Sequence, residues 1–157
     1  MGPTPSVIIT DNAMKQLNFL FFFCLFGSLL AQTGSPVGRW KTIDDDTGEA
    51  KSIIEIYQEG NAYYGKIAEI LTGNDTAVCT ECDGNRKGKP ILGMVIIEDL
   101  SVDNDEPGEW DGGRILDPQS GSDYRLSVWF EDGNGDKLYV RGKHWTGLYR
   151  TQTWIRE

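Results

Sequence analysis

The chain has 157 residues, 24 acidic and 15 basic, for a formal charge of −9. This sign argues against a nucleic-acid binder, which needs clustered Lys and Arg. An apolar content of 39% excludes disorder as the default, and 19 glycines with no Gly-X-Y period imply many turns rather than collagen.

The N-terminal part reads as a targeting segment. Residues 17–31, LNFLFFFCLFGSLLA, follow Lys15 and close on Ala31-Gln32. A basic start, an apolar stretch and a small residue at the end form the pattern of a secretory signal. The stretch is shorter than the roughly 20 residues of a membrane-spanning helix, so no membrane span is expected after cleavage. Cys24 lies inside the apolar stretch, where a lipidated cysteine would not be. Residues 1–13 precede a second methionine, Met14, and read as an upstream extension, with the signal over 14–31 and a short linker over 32–37. The mature chain expected from this is periplasmic or secreted, in an oxidising compartment.

From residue 38 on, no stretch shows helical periodicity. Eight short β-type runs are expected instead, at 38–43, 52–58, 61–71, 91–99, 109–116, 122–131, 136–144 and 149–156. Glu59-Gly60-Asn61, Asp117-Pro118-Gln119-Ser120-Gly121 and Asp132-Gly133-Asn134-Gly135 carry turn chemistry. Short connections make consecutive strands antiparallel neighbours, and eight suffice to close an up-and-down barrel. A β-sandwich is the alternative. In the sixth run Tyr124, Leu126, Val128 and Phe130 alternate with Arg125, Ser127 and Trp129. In the eighth, alternation does not say which face is interior.

One connection is out of scale. Residues 72–90 form a 19-residue loop that holds Cys79-Thr80-Glu81-Cys82. In an oxidising compartment this pair reads as a disulfide that shapes the loop. A thiol-redox role remains an alternative, although Asp83-Gly84-Asn85 and Pro90 oppose the helix such a motif needs. Zinc would need two further ligands, and His144 is the sole histidine. Asp132–Asp136 copies the opening of a calcium loop, but Lys137 and Lys143 stand where Gly and Glu are required. Asp44-Asp45-Asp46 reads as a solvated turn. No nucleophile elbow, phosphate loop or dinucleotide fingerprint is present. No cofactor, metal or catalytic residue is assigned.

Gly38-Arg39-Trp40 on the first strand, with Arg150 or Arg156 on the last, resembles the lipocalin-like (calycin) arrangement, in which a late Arg crosses the Trp at the closed end of a barrel. Further motifs extend the likeness: WKTIDDDTGEAKSIIEIY, the Cys-x-x-Cys loop running into KGKPILGM, GGRILDPQSG followed by a Tyr, and LYVRG with RTQTWIR. Together these resemble domain-of-unknown-function family 2147, small exported bacterial β proteins, from about Gly38 to Glu157. The segment Arg141–Gly147 and Tyr149 before Arg150 depart from that pattern. The resemblance implies the fold and export, and no activity.

The first functional expectation is a non-catalytic binding module for a small apolar or amphipathic ligand. Trp40, Tyr124, Arg141, Arg150, Gln152 and Trp154 are its candidate residues, an aromatic wall with polar anchors. A cell-envelope interaction protein with a filled barrel is the second. A thiol-redox enzyme through Cys79 and Cys82 is the third. An interior cavity separates the first from the second.

Overall fold

The computed structural model describes residues 34–131 and 134–157, together with Gly2. The extension and signal read from the sequence lie outside these residues, as do Asp132 and Gly133 of one turn. Eight strands follow in chain order: β1 (Gly38–Ile43), β2 (Ala50–Glu59), β3 (Ala62–Ile70), β4 (Val95–Val102), β5 (Glu109–Asp117), β6 (Ser122–Trp129), β7 (Lys137–Lys143) and β8 (Tyr149–Arg156). They form a closed barrel in sequence order, every neighbour antiparallel. Closure comes from β8 pairing with β1 through Trp40–Arg156 and Lys41–Ile155. This sets the sandwich alternative aside. No helix among the described residues is long and apolar enough to cross a membrane.

The strand positions match the sequence reading to within two residues at each end except at β4, which runs Val95–Val102 rather than over 91–99. Ile91–Met94 is apolar enough to pass for a strand, but Gly93 has φ of +81° and Met94 N–H bonds back to the Ile91 carbonyl. That is a turn, reached through a conformation glycine adopts without strain. A three-residue 3₁₀ turn, Gly84–Arg86, interrupts the long loop.

With antiparallel neighbours throughout, the barrel has two different ends. The hairpins after β2, β4 and β6 lie at the end where β1 begins and β8 finishes. The connections after β1, β3, β5 and β7 lie at the other end. The first end is filled. Trp40 is fully buried, its indole N–H donates to the Pro36 carbonyl at 2.7 Å, and the Arg156 guanidinium lies 4.1 Å from its ring centroid. Arg156 also donates to the Gly135 carbonyl at 2.7 Å. The register Trp40–Arg156 selects Arg156, rather than Arg150, as the arginine over the tryptophan. Phe130 packs between Trp40 and Trp110, with centroids 5.9 and 5.8 Å away, and Tyr63 meets Trp110 edge-on. Among the described residues, Trp110 Nε1 is buried with no protein hydrogen-bond partner.

Cys79 and Cys82 form a disulfide, fully buried. It seats the long loop against the β5–β6 turn: the Cys79 sulfur lies 3.2 Å from the Pro118 carbonyl oxygen, and Arg86 pairs with Asp123 in two hydrogen bonds of 3.2 and 2.6 Å. The buried sulfurs are closed to attacking thiolates. We therefore expect Cys79 and Cys82 to resist mild reductant and alkylation in the folded protein, and to react once denaturant is added. Mass spectrometry after alkylation checks this. Substituting both by Ser is expected to cost about 2 kcal/mol, the chain-entropy value for so small a ring.

Candidate functional site

The open half of the barrel holds a cavity of about 830 Å³ that opens to solvent, within the roughly 300–1,000 Å³ of small-molecule sites. Its construction follows from strand alternation. On β8, Trp154, Gln152 and Arg150 point inward at successive depths toward the mouth. Val140 and Gly142 do the same on β7, followed by His144 just beyond it, and Tyr124 and Ile115 face each other across the β5–β6 register. The result is a gradient of polarity along the barrel axis. Trp154 and Ile67 form the apolar depth, and Val140 and Ile115 stand level with Gln152 and Tyr124, their register partners. Thr42, Ser52, Gln152 and Tyr124 form a neutral polar belt, in which the Thr42 and Ser52 hydroxyls are 2.8 Å apart. Asp44, Asp46, Lys51, Asp117, His144 and Arg150 stand at the mouth.

The mouth charges are largely matched. Arg150 binds Asp45 through Nε at 2.8 Å and Nη2 at 2.6 Å, tying β8 to the β1–β2 loop. This hydrogen bond raises the Arg150 pKa further above its ordinary value. Asp44 accepts from the Thr47 and Asp46 backbone N–H groups and faces Lys51 at 3.4 Å. The Thr47 bond above all holds its carboxyl below the usual range. The three aspartates, read from sequence as a solvated turn, thus include two that line the cavity mouth.

Four of the six residues proposed from sequence come together here: Tyr124, Arg150, Gln152 and Trp154. Trp40 and Arg141 are not among the lining residues. Trp40 belongs to the filled end. Arg141 is on the outer face, because it is adjacent to inward Val140 and pairs with Thr151. There it stacks between Trp129 and Tyr149, 4.6 and 4.9 Å from their centroids, and donates to Thr151 Oγ1 at 2.9 Å. Thr42, Ser52, Gly142 and His144 were missed. Period-two counting from Val140 would have found the last two. Gly142 keeps the wall thin, since a Cβ there would sit 3.3 Å from the Tyr124 Cβ.

A closed eight-stranded up-and-down barrel, filled at one end by a Trp under an Arg and hollow at the other, is a lipocalin-like fold. The solved structure of Helicobacter pylori protein HP1028, described as belonging to the lipocalin family, is similar over 79% of this chain and 84% of that one, with a TM-score of 0.67 and 18% identity. The chain belongs to the family described as "Uncharacterized protein conserved in bacteria (DUF2147)", whose model matches residues 38–156. No curated protein matches the sequence significantly.

Proposed function

We propose that the protein is an exported, non-catalytic carrier or receptor for a small amphipathic molecule held in the open half of the barrel. The cavity of about 830 Å³ is the observation that carries this reading. A barrel serving only as a scaffold would fill both ends with side chains, as the Trp40 end does. The polarity gradient supports a ligand whose apolar part reaches Trp154 and Ile67 and whose polar end meets Arg150, His144 and Lys51 at the mouth. Export to the periplasm or medium rests on the apolar segment 17–31 with its closing Ala31, and on a disulfide that needs an oxidising compartment. Titration with the apolar fluorophore N-phenylnaphthylamine tests the proposal. Saturable binding at one site per chain, displaced by a long-chain fatty acid, is expected. Absence of saturable binding would contradict it.

A further inference from the structure

We infer that the open end of the barrel, on its β5–β8 side, docks on an anionic lipid bilayer. Three features meet there. The first is apolar exposure. Among the described residues, six of the eight exposed large apolar side chains, Leu71, Val78, Leu92, Trp145, Leu148 and Tyr149, lie in or beside the open-end connections. Trp145 at 87% and Leu148 at 76% are the extremes, both on the β7–β8 hairpin tip. The Trp145 and His144 ring centroids are 5.3 Å apart, and at 87% exposure the burial of Trp145 in the fold is slight. Exposed tryptophan beside leucine on a projecting tip fits the bilayer interface, where the amphipathic indole is most stable.

The second feature is a row of like charges. Arg114, Arg125 and Lys143 are direct register partners across β5, β6 and β7, and all three are exposed. Directly opposed like charges destabilise a sheet. Arg114 is relieved by Glu98 at 3.2 Å, while among the described residues no acid forms a salt bridge with Arg125 or Lys143. The row continues through the Arg86–Asp123 pair to the exposed Lys87 and Lys89 of the long loop. In a chain of charge −9, such local accumulation of cations is not needed for the barrel and matches a surface of lipid phosphates.

The third feature is continuity. Lys143 pairs with Tyr149, and both Tyr149 and Leu148 also line the cavity mouth. The docking face and the mouth therefore share an edge, and a docked barrel would present its mouth to the lipid surface. In the acidic β1–β2 loop, Asp45 pairs with Arg150 and Asp44 with Lys51. This inference does not depend on the cavity's having a ligand.

Co-sedimentation of the purified protein with vesicles tests it, using phosphatidylcholine alone and phosphatidylcholine mixed equally with phosphatidylglycerol. All arms share one N-terminus, so its contribution cancels between variants. The wild type is expected to prefer the anionic vesicles, with binding that falls as salt rises. Arg125→Glu with Lys143→Glu is expected to weaken binding about 25-fold or more, at roughly fivefold for each cation near an anionic surface. Trp145→Ser with Leu148→Ser, both at exposed positions that leave the fold intact, is expected to release the protein from anionic vesicles at moderate salt. Unchanged melting temperatures and circular dichroism spectra in both variants would show that the barrel is unaffected. Wild-type binding to anionic vesicles by either double variant overturns the inference. So does binding to a soluble polyanion that ignores Trp145 and Leu148, or no preference for anionic lipid.

Discussion

Replacing Trp40 by Ala is expected to destabilise the protein by about 3–5 kcal/mol. The indole is wholly buried, contacts Phe130 and gives its N–H to Pro36. Its removal empties the centre of the filled end and strips the Arg156 guanidinium of the face it covers. Arg156 keeps Gly135 as an acceptor, so the charge is not orphaned and the main loss is packing. Trp40→Phe should recover about half of the loss, because it keeps an aromatic face but no N–H donor. Urea unfolding followed by circular dichroism measures both. A loss below about 1 kcal/mol for Trp40→Ala would mean that the closed end does not hold the barrel together.

Gly121→Ala is the second substitution with a large expected effect. Gly121 has φ of +69°, and a Cβ there would lie 2.0 Å from the Glu81 carbonyl oxygen and 2.9 Å from Cys82 N. The left-handed backbone alone costs a non-glycine residue about 1–2 kcal/mol. The overlap is with backbone held by the disulfide, so no side chain can rotate aside. The loop must leave the β5–β6 turn, which breaks the Arg86–Asp123 pair and exposes the sulfurs. We expect rapid tryptic cleavage after Arg86 or Lys87 in the variant, with the wild type cleaved slowly, and alkylation of both cysteines after mild reduction. A variant as resistant as the wild type would show that the loop is not seated as described.

The barrel was legible because its information is local. Short Gly-, Asn- and Pro-bearing turns joined runs of period two, and each turn fixed an antiparallel neighbour. The error at β4 has the same origin: Ile91–Met94 has the composition of a strand, and only the φ of Gly93 makes it a turn. The seat of the long loop was not legible. It rests on Gly121 and Asp123, which are remote in sequence from Cys79–Arg86 and give no signal of proximity.

Within the site, residue type and register carried different weight. Tyr124 shares the parity of buried Leu126 and Val128, whereas on β8 alternation alone does not say which face is interior. The chemistry of Arg141 suits a polar anchor, but its position beside Val140 places it outside, between Trp129 and Tyr149. The resemblance to the G-x-W signature led to Trp40, whose part is to plug the barrel rather than line the cavity. Burial on β8 resolves what alternation left open, since Trp154 is buried at 2% exposure and its parity fixes Gln152 and Arg150 as inward.

The claim that the open half of the barrel holds a ligand is tested most directly by paired titrations of N-phenylnaphthylamine into the wild type and Ile115→Trp. Ile115 is only partly buried and faces the cavity opposite Tyr124, so an indole there occupies the space itself. Ala77→Trp, at the mouth on the long loop, serves if the first variant folds poorly. One saturable site in the wild type, weakened at least about tenfold in a folded cavity-filled variant, is the predicted result. Equal binding by wild type and filled variant, or none by the wild type, would contradict it.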